Sequence, residues 1–263
     1  MADRTLRGPD LGGEADLSLP AGLIGHPART AMLLALLDGR ALPMSVLAAE
    51  AGVAGSTASA HLGRLTSAGL LRVVPQGRYR YYRIASAEVA EALEALARIA
   101  PPAPVSSLRA AGRAAELRYA RTCYDHIAGL LGVALMRTLI DRGALVGGDG
   151  RHQLGSAGQD RLSGPGRDRD YRLTEPGRQL LAELGVIPAP GNRPLIRYCI
   201  DWTEQQHHLA GALGAGLLIR FETLGWLEPG ERRVRRALRV TELGARELSS
   251  RLGLDVSQLA PAA

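Results

Sequence analysis

The chain has 263 residues and a formal net charge of +6, with 32 Lys and Arg against 26 Asp and Glu, and Arg dominates the basic side chains. That length buries a sizeable core in one or two domains, and the basic balance suits a polyanionic partner such as nucleic acid. Two Cys exclude a small disulfide-stapled scaffold, and the longest apolar runs, Ile127 to Met136 and Leu209 to Ile219, are too short for a bilayer span, so no membrane partner is expected.

The opening stretch MADRTLRGPDLGGEADLSLP carries scattered acidic residues and no apolar core, which excludes a secretory signal and fits a cytoplasmic protein. Residues 1–16 are expected to be a disordered tail. From Leu19 to Leu37 a helical pattern runs through Leu23, Ile24, Met32, Leu33, Leu34, Leu36 and Leu37, and Pro27 divides it into two helices. After DGRALP, the segment MSVLAAEAGV reads as a short helix closed by Gly52. STASAHLGRLTSAGLL follows as a second helix closed by Gly69, giving a helix-turn-helix pattern. Leu47, Val53, Leu62, Leu65 and Leu71 are the expected core of this head, with Leu33 and Leu37. LRVVPQGRYRYYRIAS then reads as two strands around Pro75, Gln76 and Gly77, a wing whose Arg78 and Arg80 would reach phosphates, with Arg72 on the incoming strand. An amphipathic helix from Ala85 to Ile99, with Val89, Leu93, Leu96 and Ile99 on one side, is placed to pair subunits together with the Leu19 to Ile24 segment. Pro101 to Ser107 ends it as a linker.

The remainder, 108–263, contains an internal repeat, with copies at 121–186 and 197–254. The first runs RTCYDH, IAGLLGVAL and YRLTEPGRQLLAELGV, and the second RYCIDW, HLAGALGAGL and LRVTELGARELSSRLGL. Each passes from Cys-x-Asp through a small-residue helix to a strand that enters a Thr-Glu-x-Gly helix start, where Thr174 and Thr241 are the expected N-caps. Residues 151–170 read as a mobile surface loop. The expected fold is therefore mainly α with small β-hairpins: a winged helix-turn-helix domain over 17–100, a linker over 101–107, and a helical C-terminal domain whose copies resemble degenerate winged helices.

Leu23 to Ile84, through HPARTAMLLALLDG, LAAEAGVAGSTASAHLGRLTSAGLL and VVPQGRYRYYRI, resembles the winged-helix domain of the bacterial arsenic-repressor (ArsR/SmtB) family over about a quarter of the chain. The resemblance implies a homodimeric repressor that binds an imperfect palindrome in double-stranded DNA and releases it when a metal ion or other effector binds. It places Ser56, Thr57, Ser59, Ala60 and His61 on the face entering the major groove, with Arg64 on the same helix and Arg78 and Arg80 on the wing. Ser56 or Thr57 capping the helix, and His61 packing into the scaffold, are the structural alternatives. The family's metal-sensing members often carry paired cysteines beside the first motif helix; here that segment is MSVLAAEAG, which excludes arsenic or cadmium sensing at that place.

Chemistry-capable residues outside the head cluster in the repeat: Cys123, Asp125 and His126 in one copy, and Cys199, Asp201, His207 and His208 in the other. They suit a zinc or copper ion, or a thiol redox pair; neighbours on successive helical positions would not all face one way, which favours a structural role instead. No cofactor is required, and the effector, metal or organic, is open. Without a nucleotide-binding or hydrolase signature the chain is not expected to be an enzyme. A constitutive or architectural DNA-binding protein, an activator, and a thiol redox sensor using Cys123 and Cys199 are the alternatives to an effector-controlled repressor.

Overall fold

The computed structural model describes residues 15–76, 79–101, 104–105, 107–152, 171–191, 193–230 and 234–259. The expected tail over 1–14 and most of the expected loop, 153–170, lie outside them, as does Arg78. The chain divides into two units, 1–36 with 41–86, and 37–40 with 87–263.

The first unit opens with α1 (Ser18–Ile24) and α2 (Pro27–Ala35). Pro27 starts α2 because its missing N–H is one the helix would leave unbonded in any case, and the His26 side chain accepts from the Ala28 N–H beside it. Arg29 is buried; its guanidinium donates to the carbonyls of Gly22 and Leu23, satisfying the last turn of α1. A two-residue strand, β1 (Leu42–Pro43), precedes α3 (Met44–Ala51), and Gly52 in the left-handed conformation ends that helix and turns the chain into α4 (Gly55–Ser67). The strands β2 (Leu71–Gln76) and β3 (Tyr79–Ile84) form the hairpin, in register from Leu71 opposite Ile84 to Gln76 opposite Tyr79. Pro75 and Gln76 therefore belong to the ladder, and Arg80 sits within β3 opposite Pro75 instead of in the turn. β1 adds to β3, giving a three-stranded antiparallel sheet ordered β1-β3-β2. Leu33, Leu47, Leu62, Leu65, Leu71 and Ile84 are buried and fill the unit's interior.

The second unit begins with α5 (Ala87–Ile99) and α6 (Leu108–Tyr119). The first copy of the repeat then runs β4 (Arg121–Cys123), β5 (His126–Ala128), α7 (Gly129–Asp141), β6 (Leu145–Val146), β7 (Arg172–Leu173) and α8 (Glu175–Glu183). The second runs β8 (Arg197–Ile200), β9 (His207–Ala210), α9 (Gly211–Thr223), β10 (Leu227–Pro229), β11 (Leu238–Val240) and α10 (Glu242–Glu247), continued by a π-helical turn over Leu248–Leu252. Each copy is thus hairpin, helix, hairpin, helix. Thr174 and Thr241 cap α8 and α10, accepting from the Gly177 and Gly244 N–H groups. Each copy opens on a hairpin, and among the described residues neither has a helix-turn-helix pair ahead of its second hairpin.

The segments around Cys123 and Cys199 are strands, not the successive helical positions that sequence spacing suggested. In the first copy Tyr124 and Asp125 alone close the loop, with Tyr124 held at φ 60°. In the second, the loop lengthens to Asp201–Gln206. Helices α7 and α9 are the centre of the unit's core, through Leu131, Leu135, Met136, Leu213, Leu217 and Phe221. No described helix is long and apolar enough to cross a membrane.

Candidate functional site

In the first unit, the face of α4 that carries Ser56, Thr57, Ser59, Ala60 and Arg64 is exposed, while Ala58, Leu62 and Leu65 on the opposite side are buried. The N-cap position of α4 is Ala54 and no side chain caps the helix, so the Ser56 and Thr57 hydroxyls are not consumed as caps. His61 departs from the expectation: it is 9% exposed, its ring lies 4.6 Å from that of His26, and burial with the nearby positive groups lowers its pKa. It packs within the scaffold and stays neutral instead of lining the exposed face. Arg72 and Arg80 are exposed on the two strands of the hairpin. An uncapped helix with a small, hydroxyl-rich face, followed by a basic hairpin, has the shape and chemistry to enter a DNA groove and hold the phosphates beside it.

In the second unit the hairpin registers do what sequence spacing concealed. Cys123 lies directly opposite His126, and Cys199 directly opposite His208. Opposed residues share one face of a strand pair, so each copy presents one thiol and one imidazole together. The two copies meet through these faces: a Cβ on Gly132 of α7 would lie 3.5 Å from the His208 Cβ, and one on Gly214 of α9 would lie 3.2 Å from the His126 Cβ. The ligating atoms of Cys123, His126, Cys199 and His208 all fall within 4.8 Å of one another, in a cluster that could hold a metal ion.

Asp125, Asp201 and His207, which the sequence groups with these four, are committed elsewhere. Asp125 pairs with Arg193 and lies 3.3 Å from His126 Nδ1. Burial alone would raise its pKa, but hydrogen bonds from His126 and Arg193 bring it to about 2. Asp201 is wholly buried. Its Oδ2 accepts from Arg121 Nη2 at 2.8 Å and from the Gly129 N–H at 2.7 Å, and its Oδ1 accepts from the Thr203 hydroxyl and from the Thr203 and Glu204 N–H groups. Burial opposes that charge, yet Arg121 and these donors hold the carboxyl well below its usual range. Arg121 is itself fully buried, bonds to the Leu117 carbonyl and stacks 4.5 Å over Trp202. His207 points to the other face of β9, where its Nδ1 meets the Tyr171 hydroxyl at 2.9 Å.

Within the cluster, burial and the His126 charge keep His208 well below the usual imidazole range, so it is neutral. Burial also opposes a charge on His126, but Asp125, and Cys123 where it ionises, raise that group. The adjoining Cys199 sulfur and burial push the Cys123 thiol up. A cavity of about 440 Å³ opens beside the cluster, with Cys123, His126 and Cys199 on one wall and Glu91, Glu94 and Arg98 of α5 on another.

A helix-turn-helix pair backed by a three-stranded sheet whose hairpin projects basic side chains defines a winged-helix DNA-binding domain, the reading head of a transcriptional regulator. A family profile described as a helix-turn-helix domain matches residues 24–74. Over 239 residues the chain is 35% identical to an uncharacterized HTH-type transcriptional regulator, YdfF, of Bacillus subtilis (strain 168), covering 90% of this chain and 96% of that protein. The chain belongs to the HTH-type transcriptional regulators, a non-catalytic class. Among solved structures, the cadmium metal-sensor CMTR of Mycobacterium tuberculosis is 32% identical over 35% of this chain and 100% of its own, with a TM-score of 0.28. HlyU of Vibrio cholerae N16961 is 26% identical over 31% of this chain and 88% of its own, with a TM-score of 0.29.

Proposed function

We propose that the protein is a homodimeric, effector-controlled repressor that binds an imperfect palindrome through its first unit. The exposed, uncapped face of α4 carries this reading. Ser56, Thr57, Ser59, Ala60 and Arg64 enter the major groove, where hydroxyls serve base edges or phosphates and Arg64 extends the contact toward the backbone. Arg72, Arg80 and Arg78 hold the flanking phosphates. His61 supports the helix from behind.

Pairing uses the apolar surface that α1 and α5 each leave open: Leu19 is 61% exposed on the former, and Leu96 and Ile99 are 43% and 81% exposed on the latter. The region 108–263 acts as the effector and assembly domain. Helix α5 follows the wing directly and also walls the cavity beside the cluster, so it is the element through which an occupied second unit would alter the spacing of two heads. Acting on the chromosome, the protein works in the cytoplasm.

Fluorescence anisotropy with DNA from the region upstream of its own gene tests the reading, with unrelated DNA as competitor. Specific binding that weakens across all sequences in the Arg72→Ala/Arg80→Ala variant is expected. Each lost phosphate contact removes roughly 0.9 from the slope of log affinity against log salt, so the loss of two contacts from each head of the dimer should lower the slope by about 3.6. An unchanged slope would place the wing away from the backbone. Sedimentation showing a monomer at micromolar concentration, free and with DNA, would remove the dimer.

A further inference from the structure

We propose that Cys123, His126, Cys199 and His208 form a four-ligand site for one zinc(II) ion, which clasps the two copies of the repeat to each other. Each copy supplies one sulfur and one nitrogen from directly opposed strand positions, so neither copy alone can complete the set. Tetrahedral zinc at about 2.3 Å from sulfur and about 2.0–2.1 Å from nitrogen needs ligand atoms about 3.3–3.8 Å apart. The present spread, within 4.8 Å, is about 1 Å wider than that at its largest.

A second observation points the same way. His126 Nε2 and both ring nitrogens of His208 are buried without a hydrogen-bond partner among the described residues, in side chains 5% and 1% exposed. Native interiors seldom leave such groups unmet, and an ion at the centre of the cluster would take up His126 Nε2 and one ring nitrogen of His208. Behind the ligands stand the two carboxylates that the sequence groups with them. Asp125 Oδ1 lies 3.3 Å from His126 Nδ1, directing Nε2 inward, and Asp201 Oδ2 lies 3.8 Å from His208 Nδ1. A carboxylate within hydrogen-bond reach, as Asp125 is, orients a metal-bound imidazole. The cavity that reaches Cys123, His126 and Cys199 supplies the entry path.

Charge selects the ion. Two thiolates and two neutral imidazoles carry −2, and the neighbouring carboxylates are already matched by Arg121 and Arg193. A divalent ion makes the buried site neutral; copper(I) would leave a net negative charge in an interior that resists one. Mixed sulfur and nitrogen donors in a tetrahedron suit zinc. The site is a property of the second unit and stands whether or not the DNA-binding reading does.

The test uses the full chain, stripped with chelator under reducing conditions and titrated with zinc(II), cobalt(II) and copper(I). Expected are one zinc per chain by native mass spectrometry, the intense visible absorption and thiolate charge-transfer band of tetrahedral cobalt, and protection of both thiols from a disulfide reagent in the unaltered chain. Cys199→Ser and His208→Gln should each weaken zinc at least tenfold while circular dichroism stays unchanged. Thiols that react equally fast with and without zinc would overturn the proposal. So would a chain purified without reductant that is metal-free and two hydrogens lighter, in which the cysteines simply pair, or a preference for copper(I) over zinc at equal free concentration.

Discussion

Asp201→Asn is expected to destabilise the second unit by about 3–5 kcal/mol, the range for removing one partner of a buried ion pair. The substitution preserves shape but presents an amide N–H₂ where the Oδ2 oxygen received the Arg121 guanidinium and the Gly129 N–H, so donors face donors. Arg121 is left charged and fully enclosed, with the Leu117 carbonyl, the Thr203 hydroxyl and the Trp202 ring as its remaining partners among the described residues. Its loss also frees the first turn of α7, which the carboxylate anchors through Gly129. Urea unfolding followed by tryptophan fluorescence would measure the effect, because Trp202 lies in this network. A loss below about 1 kcal/mol would mean that the carboxylate is not the principal partner of Arg121.

Gly214→Val is expected to cost about 3 kcal/mol, at the upper end of the usual range for overpacking. A Cβ there would stand 2.5 Å from the Leu209 carbonyl oxygen and 3.2 Å from the His126 Cβ, and neither backbone nor strand can yield cheaply. Replacing a helical glycine by alanine ordinarily gains about 1 kcal/mol, so even Gly214→Ala should lose on balance. Gly63 in α4 supplies the contrast: nothing lies within 4 Å of the place an alanine methyl would take, and Gly63→Ala should stabilise the first unit by up to about 1 kcal/mol. Denaturation midpoints of the three variants would show opposite signs for the two helices, and equal signs would mean that α9 is not packed this closely on β5.

The reading head was legible because its signals are local. Gly52 and Gly69 mark where helices end, the buried leucines of α4 recur at helical spacing, and the hairpin announces itself through Val and Tyr clusters on either side of Pro75, Gln76 and Gly77. β1 was missed because two residues, Leu42 and Pro43, carry no periodicity, and their strand character comes only from pairing with Tyr82 and Tyr81. His61 misled for a related reason. On α4 it is adjacent to exposed polar positions, and it is packed against His26, which stands ahead of α2.

The repeat was visible in the recurrence of Arg-x-Cys, the small-residue helix and the Thr-Glu-x-Gly starts, and both threonine caps are present. Which histidine in the second copy corresponds to His126 was hidden by a loop of different length. Counting back from the glycine that opens each central helix would have found it: His126 stands three residues before Gly129, and His208 three before Gly211. The mistaken helical placement of Cys-x-Asp-His followed from reading a three-residue strand, too short to show alternation, beside a long apolar helix.

Because a single chain carries both halves of the thiol and imidazole cluster, the encounter between them is intramolecular. Two separate subunits sharing such a site would lose it on dilution, whereas here the tether fixes a high effective concentration of each half for the other. Occupancy should therefore follow the free ion alone, with the same isotherm at nanomolar and micromolar protein, however the chains assemble on DNA. Duplication has in this way separated the chemistry of the second unit from the association equilibrium of the protein that bears it.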